Sequence, residues 1–308
     1  MRITNQMSYQ LLSSSVLNDQ QAVYNAQQQV SSGKRVSSAA DDPVDFGRLA
    51  RMNSSLAGVQ RYSKNIDQAK SELTTVDSAL QQAGDIFQRA KEIAVQASDD
   101  TKTAAELQAM GEEADALLTS LLNVANTSYD GHTVFSGTSG AQKAYTAIDS
   151  NADGMLDTFT YQGGTDPRIM AVTDTSNVEV GIPGSDTSST GAVFQSSTVD
   201  LFDTLKQFRD QLLSGATFNG SAVGQQLQDC HEHLTSVLAS VGGRSTALDA
   251  SSKLLSKRET DLTNDVGDVQ SLDIAKAMMA LTNKQQAYQA ALSATAGLSK
   301  NTLMDWLR

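Results

Sequence analysis

Apolar residues recur every three or four positions along most of this chain, and the strictest run lies toward its C-terminal end. Leu227, Leu234, Val241, Leu248, Leu255, Leu262 and Val269 stand seven residues apart. A seven-residue repeat returns to one helix face every two turns, which marks a helix seam. Gly242 and Gly243 fall inside the run and together cost about 2 kcal/mol against alanine. A continuous helix, bent there at most, is expected. A second seam runs through Leu49, Met52, Leu56, Val59, Ser63 and Ile66, then Ala69, Leu73, Val76, Leu80, Ala83, Phe87, Ala90 and Ala94. Two consecutive steps of three at Ser63, Ile66 and Ala69 are a phase slip that coiled coils tolerate. One helix over about residues 43–98 follows, on the order of 80 Å long. Leu107, Ala114, Leu117, Leu118, Leu121 and Val124 predict a third, over about 103–127.

Both ends of the chain carry weaker heptads. Ile3, Met7, Gln10, Ser14, Leu17, Gln21, Tyr24 and Gln28 form the first. Ile274, Met278, Leu281, Gln285, Tyr288, Leu292, Thr295 and Ser299 form the last, with Leu303 and Trp306 after a slip of one. Many of these positions are polar, so either segment is marginal as an isolated helix. Such segments suit folding when they meet copies of themselves or each other. The apolar members, Ile3, Met7, Leu17, Tyr24, Ile274, Met278, Leu281, Tyr288, Leu292, Leu303 and Trp306, are the candidate assembly interface.

Between the helical blocks the texture changes. Residues 131–198 are rich in Gly, Thr, Asp and Ser and hold two of the three prolines. Strands are expected at 133–135, 158–161, 168–172 and 177–180, each bounded by turn residues, as a small antiparallel module of hairpins. The expected fold is mainly α with a small β insertion: long antiparallel coiled-coil helices from both termini and a small antiparallel β outer domain. It divides into an N-terminal assembly helix and linker (1–42), an N-terminal long-helix domain (43–130), a variable β-rich outer domain (131–198), a C-terminal long-helix part packing on 43–130 (199–269) and a C-terminal assembly helix (270–308).

Composition supports long helices. The prolines are Pro43, Pro167 and Pro183, so residues 44–166 and 184–308 contain none of this helix breaker. Asp42-Pro43-Val44-Asp45 reads as a helix start, with Asp42 as N-cap and Pro43 in the first turn. Aromatic residues make up 5% of the chain, which suits aliphatic seams better than a large sandwich. Net charge is −12 with no basic run, so nucleic acid is not an expected partner. Cys230 is the only cysteine, which excludes an intrachain disulfide. The N-terminal residues lack an apolar h-region, so no cleavable signal peptide is expected. No apolar stretch reaches membrane-spanning length, so membrane insertion is not expected.

Candidate chemistry is sparse. Asp149, Asn151 and Asp153, followed by Gly154, resemble the start of a calcium loop, but Thr160 stands where a bidentate Glu belongs. The alternative is an Asx/Gly turn joining two strands. Cys230-His231-Glu232-His233 offers ligand types without a second ligand pair, and an exposed helix surface is expected. Three histidines and one cysteine leave little from which to build a nucleophile–base pair. No nucleophile elbow, phosphate loop or zinc-protease motif is present. No catalytic residue and no cofactor are therefore assigned. A secreted effector or hydrolase, or a glycan- or host-surface-binding adhesin-like module at 131–198, would be the readings from other functional classes.

The stretch from Val30 to Pro43, Val-Ser-Ser-Gly-Lys-Arg-Val-Ser-Ser-Ala-Ala-Asp-Asp-Pro, closely resembles the N-terminal signature of the bacterial flagellin family. Ser136-Gly137-Thr138 after Thr133-Val134-Phe135 resembles that family's strand after its third helix. Met1-Arg2-Ile3-Thr4, Gln286–Leu292 and Thr302–Leu307 are similar to the branch of the family that joins the flagellar hook to the filament. The resemblance covers about residues 1–140 and 225–308. It implies a structural, non-enzymatic protein, exported unfolded by the flagellar type III apparatus. Its terminal helices would form an inner tube, and its middle domain would project outward. The implied partners are copies of itself in a ring, a neighbouring hook-associated protein, flagellin, and a cytoplasmic export chaperone on the C-terminal segment. A short filament-forming flagellin is the alternative within the family.

Overall fold

The structure is a computed structural model that describes residues 5–99, 101–150, 154–186, 191–214 and 220–306. Six helices dominate it: α1 (Asn5–Ser32), α2 (Pro43–Ala97), α3 (Ala104–Ala125), α4 (Leu201–Leu213), α5 (Gly220–Gln270) and α6 (Ile274–Trp306). Among the described residues, eight short strands lie between α3 and α4: β1 (Ser128–Tyr129), β2 (His132–Thr133), β3 (Tyr145–Ile148), β4 (Thr158–Tyr161), β5 (Ile169–Ala171), β6 (Asn177–Glu179), β7 (Ser185–Asp186) and β8 (Gln195–Ser196). The chain forms two compact units. One holds residues 1–58 and 257–308, the other residues 59–256.

In the unit of residues 59–256, the seams expected from the heptads are the core. Ile66, Ala69, Leu73, Val76, Leu80, Ala83, Phe87, Ala90 and Ala94 of α2 are buried, as are Leu227, Leu234, Val241, Leu248 and Leu255 of α5. Each buried leucine contributes roughly 1.5–3 kcal/mol by leaving water. Lys70 pairs with Asp249 at 2.6 Å, and Lys91 donates to Gln228. Lys70 to Lys91 is 21 residues forward on α2, and Asp249 to Gln228 is 21 residues back on α5. The helices therefore run antiparallel in matched register, and 21 residues is three heptads. α5 is continuous through Gly242 and Gly243.

α3 opens with a reciprocal capping box. Thr103 Oγ1 accepts from the Glu106 N–H, and the Glu106 carboxylate accepts from the Thr103 N–H. α4 packs on α3 and carries a buried cation, Arg209. Its guanidinium donates to Asp115 of α3 at 2.8 Å, to the Leu156 carbonyl at 2.9 Å and to Asp157 at 3.3 Å. A buried charge is tolerable only when paired and hydrogen-bonded in this way.

The β module departs from a simple set of hairpins. β1–β2, β3–β4 and β5–β6 are antiparallel pairs, but β7 and β8 pair in parallel. β1, β3, β7 and β8 were not among the expected strands. Asp130 and Gly131, at φ +50° and +81°, form the left-handed turn between β1 and β2. Phe135, Tyr145, Phe194 and Phe202 form the buried aromatic core of the module.

Candidate assembly site

In the unit of residues 1–58 and 257–308, two terminal helices meet a compact corner. The corner is the Val30–Pro43 stretch. Asp41 Oδ2 accepts the backbone N–H groups of Ser37 and Ser38 at 3.0 and 2.9 Å, and both hydroxyls as well. Those bonds, the Ser37 N–H foremost, hold the Asp41 carboxyl below its ordinary value. Asp42 Oδ1 accepts from the Val44 and Asp45 N–H groups at 3.0 Å each, so it is the N-cap of α2. Its carboxyl is also held low, chiefly by the Asp45 N–H. Paired acids in this signature thus do two different things: Asp41 closes the loop ahead of the helix and Asp42 caps α2.

Arg35 ties the corner to the far end of the chain. Its guanidinium pairs with Asp45 and, at 3.6 Å, with Asp42, and it donates to the Val269 carbonyl at 3.0 Å. The backbone joins in: Arg35 N–H donates to Gln270 O at 2.8 Å, and Leu272 N–H donates to Gly33 O at 3.2 Å. Gly33 holds φ +66°, which ends α1 and turns the chain into this bridge. Beneath it, Val36, Leu49 and Val269 are buried together, with Val266 packed against them.

The bridge joins the end of α1 to the start of α6, so the two helices leave it antiparallel and pack on one another. Leu12, Val16, Val23 and Val30 of α1 are half-buried and Ala26 is buried. Met7, Leu17 and Tyr24, the apolar members of the expected heptad row, lie on the exposed side, with Leu17 and Tyr24 each 62% exposed. Gln10, Ser14, Gln21 and Gln28 of the same row are exposed too. On α6, Leu281 and Tyr288 are half-buried, whereas Ile274, Met278 and Leu292 are exposed. Leu11 and Met279 add to the exposed apolar surface. Ile3 lies outside the described residues, and Leu303 and Trp306 fall where only the helical backbone is described.

Asn151 and Asp153 of the calcium-loop candidate lie outside the described residues. Asp149 accepts the Gly154 N–H at 2.9 Å in a loop joining β3 to β4, so the flanks are strands. Cys230 is not on an exposed surface: α5 turns it into the core, and burial pushes its thiol up to about 12. His233 Nε2 lies 2.8 Å from the Ala192 carbonyl. Among the described residues no three His, Cys, Asp or Glu side chains could hold a metal, and no helix is long and apolar enough to cross a membrane.

Residues 3–140 match the family model of the bacterial flagellin N-terminal helical region. Polar flagellin C of Vibrio parahaemolyticus is 30% identical over 155 residues, 50% of this chain and 40% of that protein's own length. The flagellin of Bacillus subtilis is 25% identical over 283 residues, 90% of each chain. Among solved structures, flagellar hook associated protein-3 from Legionella pneumophila superposes with a TM-score of 0.61 at 16% identity, covering 71% of this chain and 98% of that one. A flagellar junction protein from the same organism gives 0.56 at 16% identity, covering 74% and 100%. Over residues 3–140 the chain is thus similar to the N-terminal helical region of bacterial flagellins.

Proposed function

We propose that this chain is a structural, non-enzymatic adapter of the bacterial flagellum, seated between the hook and the filament. The observation that carries the assembly role is the exposed apolar surface of the terminal helices. Met7, Leu11, Leu17 and Tyr24 on α1 and Ile274, Met278, Met279 and Leu292 on α6 are exposed on helices that already pack together. A surface of this kind marks an interaction site on a chain that does not stay alone. The likeness in fold to a hook associated protein-3 and to a flagellar junction protein supports the junction over the filament.

In this reading the protein is held by an export chaperone on its C-terminal segment, leaves the cell through the flagellar type III apparatus, and assembles as a ring. Its neighbours are another hook-associated protein on one side and flagellin on the other. Residues 1–42 and 270–308 form the inner tube, 43–130 and 199–269 the helical body, and 131–198 the outer face.

Gold-labelled antibody on isolated flagella tests the proposal. A single band between hook and filament is expected, and deleting the gene should leave hooks whose flagellin escapes into the medium. Label along the whole filament would overturn the junction and favour a short filament flagellin, a reading that the match with the Bacillus subtilis flagellin over 90% of each chain supports.

A further inference from the structure

In the unit of residues 1–58 and 257–308, lysines and aspartates occupy different helices. Residues 274–299 hold Lys276 and Lys284 and no acid, whereas residues 259–270 hold Glu259, Asp261, Asp265 and Asp268 and no base. Lys276, Ala280 and Lys284 follow at four-residue steps, so they share one face of α6. That face borders a notch of about 310 Å³ between α1, α6 and the corner, with Ala26, Ala277 and Ala280 as its apolar floor. Arg35 lines the notch but is spent on Asp42 and Asp45, and Asp273 takes Lys276 at 3.5 Å. Asp261, Asp265 and Asp268 follow at steps of four and three, exposed on one face of α5. Among the described residues, neither Lys284 nor any of these three aspartates has an ion pair.

We propose that the acidic face of α5 in one copy of the chain seats on the lysine-rimmed notch of a second copy. The proposal rests on the reading that copies of this chain associate in the flagellum, and it names the two surfaces that meet. Their lengths agree. Lys276 and Lys284 are about 12 Å apart along α6, and Asp261 and Asp268 about 10 Å apart along α5, at ~1.5 Å per residue. A floor of alanines lets a second helix approach closely, because the side chains at a contact set the distance between helix axes. The lysines then select an acidic helix and repel a basic one. The two faces differ, so the contact is head-to-tail. Each bound copy still offers one free notch and one free acidic face, and the contact repeats into a ring or a helical array.

Charge reversal in the full chain tests the contact, read as the amount of the protein recovered in purified flagella. Lys276→Glu with Lys284→Glu should lower recovery at least ~tenfold, and so should Asp261→Lys with Asp265→Lys and Asp268→Lys, since each sets like charges against one another. All five changes in one chain restore the opposite signs and should bring recovery back to within about threefold of the wild type. Normal recovery of either reversed chain overturns the contact. Loss in both without recovery in the combined chain also overturns it and assigns the faces to other charged partners. Should a reversed chain fail to fold, carbodiimide coupling of wild-type flagella decides. Covalent dimers joined from Lys276 or Lys284 to Asp261, Asp265 or Asp268 are expected, and their absence overturns the contact. Neither measurement depends on where in the flagellum the chain sits, so the junction and this contact can fail separately.

Discussion

The guanidinium of Arg35 donates to the backbone carbonyl of Val269, 234 residues further along the chain. That one bond joins the corner after α1 to the last turn of α5, where the carbonyls lack helical partners. Arg35 suits the position because its fork serves Asp45, Asp42 and a carbonyl at once, which a lysine ammonium does with poorer geometry. The side chain is 43% exposed, so the gain in global stability is small, roughly 0–1 kcal/mol. Arg35→Gln should therefore leave the urea midpoint nearly unchanged. It should speed hydrogen exchange at the Leu272 and Arg35 amides, which bond across the same bridge. Unaltered exchange there would show that the backbone pairing and the Val36–Leu49–Val269 cluster hold the corner without the guanidinium.

Gly137 explains the motif in which it stands. It holds φ +57°, and a Cβ there would lie 2.3 Å from the Gly164 carbonyl oxygen. The close approach is fixed by two backbone bonds, Gly164 N–H to Ser136 O at 2.9 Å and Thr138 N–H to Asp166 O at 3.1 Å. Gly137→Ala adds left-handed strain of about 1–2 kcal/mol to the cost of moving that backbone. A loss of at least ~2 kcal/mol in urea unfolding is expected. A loss below half of that would mean that the 163–166 loop yields freely.

Asp200 answers to pH in the opposite sense from Asp41. It caps α4 by accepting the Asp203 N–H at 3.0 Å and also accepts from Gln195 at 2.9 Å, yet burial raises its carboxyl above the ordinary value. A raised carboxyl favours the folded state only in its protonated form. The penalty is absent below the unfolded value of 3.8, grows as the unfolded chain ionises, and is complete above the folded value. Asp200→Asn keeps the cap, and Gln195 can rotate its amide to meet the new side chain. The variant should be more stable than the wild type at pH 7, and the two should converge below about pH 3.8. Urea midpoints across that range check the sign, and a variant less stable at pH 7 would refute it. Asp41 is held low by the Ser37 and Ser38 bonds, so its contribution is present above the unfolded value and is lost as pH falls through the folded one.

The α2 and α5 seams were legible because one helix face, buried within the chain, imposes the heptad directly on the residues. The α1 row was legible as a pattern, and the inward face beside it was not. Leu17 and Tyr24 have heptad spacing, yet Val16, Val23 and Ala26 take the inward face, because the sequence repeats on both sides of this helix. Arg209 gave no local signal, since its partners Asp115 and Asp157 come from α3 and from the loop before β4. β3 escaped because Tyr145-Thr146-Ala147-Ile148 is short and its partner β4 lies across a loop. The link from Arg35 to Val269 is of the same kind: long-range pairing leaves no periodicity.

Leu17 and Met278 test the assembly site. Both are exposed, on α1 and α6. A carboxylate at an exposed position of an isolated chain costs little, usually within about 0.5 kcal/mol. The same carboxylate enclosed in an apolar interface must be desolvated or neutralised, at several kcal/mol. Leu17→Asp and Met278→Asp should therefore keep the circular dichroism and urea midpoint of the isolated protein while abolishing its recovery in purified flagella. Val16→Asp, on the half-buried face, should instead loosen the helix pair itself. Normal recovery of Leu17→Asp together with Met278→Asp would move the assembly surface off these faces.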